Sequence, residues 1–245
     1  MLSITVDYEF DWGGRVKNSR AIEETTLPLL ELLDRCNARA TFFVSAETVE
    51  TTKPMLRAIA DAGHEIASHG FHHDLKYDEL DETKLIEEIR SSKVLLEDTL
   101  GIEVVGFRTP QFRKHPRTEE VLASLGFTYD SSSVNTSLKG RYKERQHEFG
   151  LLPEIPVSTI HGRFPAGVKW INLLGGRFDP ADIRVIYLHP FDLLSIFQTV
   201  SEYRAHIPLP VLAFYLARFG STMGTLESIA HGSESLARIV SEGKQ

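Results

Sequence analysis

The sequence predicts an α/β fold in which a parallel sheet or barrel is covered by helices. Short β-type apolar runs alternate along the chain with amphipathic helical runs, and each β-type run ends in or beside a polar residue. With 245 residues, 42% of them hydrophobic and 25% charged, the chain can bury one substantial core. We read one domain over 1–245, with a helical tail from about 196 and no repeat, low-complexity tract or interdomain linker.

The elements follow in order. Met1-Leu2-Ser3-Ile4-Thr5-Val6 opens the first core strand, Leu2 to Asp7. Further strands are expected at Ala40 to Val44, Glu65 to Ser68, Val104 to Arg108, Thr128 to Asp130 and Val185 to His189. Between them, Leu29, Leu30 and Leu33 form one helical face, Met55, Ile59 and Ala62 another, and Leu85, Ile86, Ile89, Leu96 and Leu100 a third. Gly63, Gly101 and Gly126 stop these patterns, while Asp81 and the Thr52 to Pro54 stretch read as helix starts. From Ser131 to Gly176 no helix period is evident, and Pro153, Pro156, Pro165 and Gly175-Gly176 suggest loops and short strands, a setting that often serves binding.

Composition narrows the function. A formal charge of −7 argues against a nucleic-acid surface, and the short run Arg141-Tyr142-Lys143-Glu144-Arg145 reads as a solvated loop. The single cysteine, Cys36, excludes an internal disulfide or a multi-cysteine metal site and is expected as buried packing. No apolar run is long enough to span a membrane, and the first residues are too short and uncharged for a signal peptide. The expected location is therefore cytoplasmic, with a substrate available there.

The chemistry concentrates in His64-Glu65-Ile66-Ala67-Ser68-His69-Gly70-Phe71-His72-His73, which holds four imidazoles in ten residues. His69 and His73 are four apart, a spacing that lets two imidazoles meet on one side of a helical turn and bind a divalent metal. Taken alone, the pair is equally compatible with a surface turn of solvated histidines. In parallel sheets and barrels the reactive groups gather at the carboxyl ends of strands. Here those ends carry Asp7-Tyr8-Glu9-Phe10-Asp11, His69 and His73, Arg108-Thr109-Pro110, Asp130, and His189-Pro190-Phe191-Asp192. Packing alone does not account for that set.

Gly63 to His69, Gly106-Phe107-Arg108-Thr109-Pro110 and Leu188-His189-Pro190, with Ala40-Thr41-Phe42-Phe43-Val44 and Tyr129-Asp130-Ser131-Ser132, stand in the order of a known family. From about Ile4 to Leu193 the chain resembles the polysaccharide deacetylases, the NodB-type carbohydrate esterases, in the branch whose first motif reads Asp-x-Glu. The resemblance implies a distorted (β/α)7-type barrel and metal-dependent removal of an N-acyl group, acetyl in the first instance, from an amino sugar or sugar conjugate. It implies that Asp7 is the general base, Arg108 orients that base by a paired contact, and Asp130 holds His189, the acid that protonates the leaving amine. His69 and His73 match the histidine ligands. The family's third ligand adjoins the base, but Tyr8 stands there; Glu9 replaces it, because alternate strand residues share a face, with Asp11 as fallback. The implied cofactor is a divalent ion, zinc first, with cobalt, nickel and manganese as alternatives.

Gln111 or Phe112 is expected to offer a backbone N–H to the oxyanion. Gly70, Gln111 and the missing aromatic near Val134 depart from the family pattern and bear on the substrate, for which a nucleotide-linked or lipid-linked amino sugar is the expectation. Related readings are a deformylase of a lipid-linked amino sugar, a metal-independent cyclic ureide hydrolase, and a silent sugar-binding barrel. His64 and His72 read as structural or solvated, Gly13-Gly14 as a flexible loop, and Trp170 with Phe164 and Phe178 equally as a sugar platform or as core.

Overall fold

The computed structural model describes residues 1–12, 14–134, 152–161, 164–174, 184–195, 198, 199, 203, 205, 208, 210 and 222–243. The strands are β1 (Leu2–Tyr8), β2 (Ala40–Val44), β3 (Glu65–Ser68), β4 (Gly106–Phe107), β5 (Tyr129–Asp130), β6 (Thr159–Ile160), β7 (Phe164–Pro165) and β8 (Arg184–Leu188). The helices are α1 (Arg20–Arg35), α2 (Val49–Asp61), α3 (Glu82–Leu100), α4 (Thr118–Ser124), α5 (Val168–Leu174), α6 (Thr222–Ile229) and α7 (Leu236–Gly243).

Six strands form one parallel sheet in the order β5-β4-β3-β2-β1-β8, curled into a half-barrel. They are the six expected from sequence, with the fourth and fifth shortened to two residues each. The gap between the edge strands is spanned by a segment with little regular structure. Parallel bridges join Glu154 to Asp130 and Val157 to Val134, and the Ser158 N–H then donates to the Val185 carbonyl at 3.0 Å. The antiparallel pair β6–β7 follows.

Alternation along β1 sorts its side chains. Ile4, Val6 and Tyr8 enter an outer apolar layer with Leu29 and Leu33 of α1, Ile59 of α2 and Ile89 of α3. An inner layer holds Phe43, Ala67, Tyr129, Ile155, Val157 and Val185, with Leu236 and Ile239 of α7. Each large apolar side chain so buried contributes roughly 1.5–3 kcal/mol. Helix α7 closes the N-terminal end of the sheet, where the Leu236 N–H donates to Thr41 Oγ1 at 2.8 Å and the Ala237 N–H to Glu65 Oε2 at 2.9 Å.

Asp81 caps α3 by accepting the Lys84 N–H at 2.9 Å, and Gly101 ends that helix in the left-handed region at φ +70. Cys36 is buried after α1, as expected. Two expectations need correction. Helix α2 starts at Val49, because the turn Ala46–Thr48 leads straight into it; Thr52 instead returns its hydroxyl to the Thr48 carbonyl at 2.9 Å. Helix α5 was not foreseen, since the seven residues Val-Lys-Trp-Ile-Asn-Leu-Leu are too few to display an amphipathic period. Gly13, the Arg141 to Arg145 run, Gly175-Gly176, Phe178 and most of the tail between 196 and 221 lie outside the described residues. No helix among the described residues is long and apolar enough to cross a membrane.

Candidate active site

The parallel register brings the strand ends level, with Asp7 beside Phe43, Val44 beside Ser68, and Phe107 beside both Ser68 and Asp130. Residues far apart in sequence therefore meet at one rim. Asp7 follows Ser3 and Thr5 on the inner face of β1, while Tyr8 points outward onto Phe42 with ring centroids 6.4 Å apart. That alternation removes Tyr8 from the site and turns Glu9 into it.

Glu9 is the meeting point. Its Oε2 lies 2.5 Å from His73 Nε2 and 3.6 Å from His69 Nε2, and its Oε1 lies 3.9 Å from His189 Nε2. Ligand atoms of Glu9, His69 and His73, all buried, fall within 4.8 Å of one another. The His69 Nδ1 is 2.8 Å from the Arg108 carbonyl, which can only accept. That contact fixes Nδ1 as a donor and turns Nε2 toward Glu9, the orientation in which a metal-ligating histidine presents its second nitrogen. A carboxylate and two oriented imidazoles suit a divalent ion, and these three residues could hold one. Burial opposes the charge of Glu9, but His73 and His69 outweigh it and hold the carboxyl well below its usual range. Asp11, the fallback ligand, does not join the group of Glu9, His69 and His73; its Oδ2 takes the Tyr203 hydroxyl at 2.5 Å and the Ala21 N–H at 3.4 Å, at the start of α1.

His69 and His73 meet through a loop rather than a helical turn. Gly70 makes the bend at φ +72, and a Cβ there would sit 2.0 Å from the Tyr77 hydroxyl oxygen, so no side chain is tolerated where the family pattern has Ser or Thr. The Tyr77 hydroxyl receives the Phe71 N–H at 3.0 Å and donates to buried Glu88 at 3.3 Å. His72 points to Glu88 as well, with Nδ1 3.1 Å from Oε1, and takes no part in the Glu9 cluster. Glu47 accepts the His73 N–H at 3.0 Å, and the Gln111 amide donates to the His73 carbonyl at 3.0 Å. His64 is buried at the opposite end, where its Nδ1 accepts the Ala40 N–H at 3.2 Å.

Arg108 is fully buried and bonds in four directions. It donates from Nη1 to Asp7 Oδ1 at 2.6 Å and Thr5 Oγ1 at 2.9 Å, from Nη2 to Ser131 Oγ at 2.9 Å, and from Nε to the Ser131 carbonyl at 3.1 Å. Its guanidinium lies 4.1 Å from the Phe43 ring centroid. The contact to Asp7 is thus single, not the paired one expected, because the rest of the fork is taken by Thr5 and Ser131. Beyond it, Gln111 and Phe112 both adopt φ +56, an unfavourable region for residues with side chains that marks a constrained turn. The Phe112 N–H is engaged by the Thr109 carbonyl at 3.2 Å. Of the two amides considered for the oxyanion, Gln111 is therefore the one with no acceptor among the described residues.

The histidine's partner also differs from expectation. Asp130, at the far edge of the sheet from β8, receives the Ser132 hydroxyl and lies 2.9 Å from Lys114 Nζ. Ser132 in turn accepts the Thr109 N–H at 2.8 Å, so Asp130 braces the turn after Arg108. Burial pushes its carboxyl up despite Lys114. The acid at His189 is Asp192, whose Oδ2 accepts the His189 backbone N–H at 2.9 Å and lies 3.1 Å from Nδ1. Pro190 starts the turn Pro190–Asp192 that folds the carboxylate back. Although burial disfavours the charged ring, Asp192, Glu9 and Asp7 push His189 up to about 9. Sequence reasoning noted Asp192 without giving it a role; an acid three residues after His-Pro was the available signal. Trp170 stacks on Phe164 at 4.7 Å and packs on the outer core, which favours its core reading.

In parallel barrels functional residues gather at the C-terminal ends of the strands, which is where this rim lies. A model of the polysaccharide deacetylase family matches residues 3–129, more than half of the chain, and the chain belongs to that family. Over 106 residues it is 35% identical to a peptidoglycan deacetylase-like protein of Gibberella zeae, a match covering 42% of this chain and 31% of that one. The chain thus spans about a third of that relative's length. Its fold is similar to that of a candidate polysaccharide deacetylase from Mycobacterium smegmatis, with 22% identity, a TM-score of 0.62, and 99% and 89% of the two chains covered. It is also similar to the fold of the allantoinase Puue, with 18% identity, a TM-score of 0.60, and 98% and 88% covered.

Proposed function

We propose that the protein hydrolyses the N-acetyl group of an amino sugar or sugar conjugate, with a divalent metal held by Glu9, His69 and His73. The observation that carries this reading is the convergence of those three ligand atoms within 4.8 Å, beside the Asp7–Arg108 ion pair and beneath His189 Nε2. Glu9, His69 and His73 would hold a divalent ion, zinc in the first instance, which would supply an acidified water and polarisation of the acyl oxygen.

The chain supplies the remaining functions. Asp7, held by Arg108 at 2.6 Å, is placed to accept the proton of the attacking water. The Gln111 N–H is placed to donate to the oxyanion that develops at the acyl carbon. His189, carrying its proton at neutral pH, gives it from Nε2 to the departing amine while Asp192 keeps the ring oriented. Amines are poor leaving groups unless protonated, so acid and base must act on opposite sides of one carbon.

The test is acetate release from N-acetylchito-oligosaccharides and from N-formyl analogues, with allantoin as a parallel substrate and metal content measured in the same preparation. We expect acetate release that falls with chelation and with His69→Ala. Metal-free protein that opens allantoin at full rate and releases no acid from the sugars overturns the proposal in favour of the ureide reading.

A further inference from the structure

We propose that Lys169 is a positioning residue for the acid: it fixes Asp192, and through Asp192 holds the His189 ring with Nε2 toward Glu9. The proposal rests on the function assigned above. Lys169 lies on α5, the helix the sequence did not announce, and only 7% of it is exposed. Its ammonium is ion-paired with Asp192 Oδ1, while Asp192 Oδ2 serves both the backbone N–H and the Nδ1 of His189. The two carboxylate oxygens are therefore divided, one to the lysine and one to the histidine. That division defines the plane of the carboxylate and, through it, the plane of the imidazole.

Aromatic packing ties the same three groups together. Lys169 Nζ lies 5.0 Å from the Phe191 ring centroid and 5.4 Å from that of Trp12. Phe191 stacks on His189 with centroids 4.7 Å apart and planes 10° from parallel, and on Trp12 at 5.0 Å. The lysine thus bears on the histidine by two routes, the carboxylate and the stacked ring. A flexible apolar stem ending in a point charge suits this task, since it reaches across from α5 and lays its methylenes along buried surface. The bland alternative is a buried ion pair that only tethers α5 to the turn Pro190–Asp192. On that reading, loss of Lys169 lowers stability and leaves the histidine as it was.

The deciding variant is Lys169→Met, which keeps the stem and removes the charge. In the metal-free protein, the downfield NMR resonance of the His189 Nδ1–H bonded to Asp192 is expected in the wild type and lost in Lys169→Met. With N-acetylchito-oligosaccharide, kcat is expected to fall about 10–100-fold with KM little changed, the pattern of an interaction acting on the chemical step. Metal content should stay at the wild-type level. In an Asp192→Asn background the lysine substitution should add little, because its effect passes through that carboxylate. Lys169→Arg, which keeps the charge, should restore the resonance. Should Lys169→Met fail to fold, Lys169→Gln carries the same expectations. An unchanged Nδ1–H resonance, or losses that simply add in the double variant, overturns the proposal. If the wild type releases no acetate, the NMR result alone decides on Lys169, which separates this inference from the proposed function.

Discussion

Each end of the half-barrel holds a carboxylate and a histidine, and the two ends treat them in opposite ways. At the C-terminal end Glu9 faces His73, His69 and His189, and these outweigh burial to keep its carboxyl low. At the N-terminal end Glu65 accepts from Tyr129 Oη at 2.6 Å, Thr41 Oγ1 at 2.7 Å and the Ala237 N–H at 2.9 Å, all neutral donors, and burial pushes its carboxyl up. The histidines diverge in the same sense. His189 is pushed up to about 9 with Asp192 beside it, whereas burial and Arg39 push His64 down to about 4. Burial opposes charge at both ends, so the sign of the neighbours decides the outcome. At one end neighbouring charges outweigh burial; at the other, burial prevails.

The comparison can be broken most severely at Arg108, which joins Asp7, the sheet and the His69–His73 loop. Arg108→Met leaves Asp7 buried without its cation and removes donors from Thr5 and both Ser131 oxygens. We expect a loss of about 3–5 kcal/mol in urea unfolding, together with loss of acetate release. A variant with the wild-type midpoint would show that the charged end does not depend on this hub.

His189→Gln should act on chemistry more than on fold. The ring is held by a local turn and not by the sheet, so kcat should drop about 10²–10⁴-fold, while the unfolding midpoint at pH 7 should fall by no more than the stability that the charged ring contributes beside Asp192. Wild-type activity should fall on the alkaline side as His189 loses the proton that Asp192 helps it keep. Because its folded pKa lies above the ordinary 6.5, its contribution to stability is complete below that pH and is also lost as pH rises through about 9. A pH–rate profile that keeps its alkaline limb in His189→Gln would remove His189 from the acid role.

What could be read in the sequence follows the same division. The six parallel strands were legible because each is an apolar run closed by a polar residue, and Asp7, Glu9, His69, His73, Arg108 and His189 were legible because they end or follow those strands. The alternation that selected Glu9 over Tyr8 is a local property of one strand, so it survived folding intact. Asp130 was assigned to His189 through a family pattern, but it lies at the other edge of the sheet and serves Ser132 and Lys114. Lys169 was hidden because its helix is only seven residues long, and the pairing with Asp192 depends on how α5 packs near the end of β8. The His189–Asp192 contact is set by one turn and had a readable signal in the acid three residues on, whereas the Lys169–Asp192 contact is set by packing between elements and had none.

At the neutral end the effects should be smaller and confined to stability. Glu65→Ala deprives Tyr129, Thr41 and Ala237 of one shared acceptor. We expect a loss of roughly 2–3 kcal/mol with kcat preserved in the folded protein, read by urea unfolding and acetate release on the same sample. Faster hydrogen exchange should be confined to the first amides of α7. A large fall in kcat at full occupancy of the folded state would show that the two ends are coupled.

The smallest effect is a pH dependence carried by His64. Its Nδ1 accepts the Ala40 N–H at 3.2 Å, which requires the neutral ring, and Arg39 nearby disfavours a second positive charge, with Asp34 opposing only in part. A histidine whose folded pKa is depressed contributes stability that is complete above the ordinary 6.5 and is lost as pH falls through about 4. His64→Asn keeps an acceptor near Nδ1 and cannot be protonated in this range. Wild type and variant should therefore have similar urea midpoints at pH 7, and by pH 4 the wild type should have lost on the order of 1–2 kcal/mol more. Since His64 lies at the opposite end from Glu9, His64→Asn should leave acetate release at pH 7 at the wild-type level. Parallel acid titrations of the two proteins would instead place the loss on the carboxylates of the charged end, and the neutral end would then play no part in acid sensitivity.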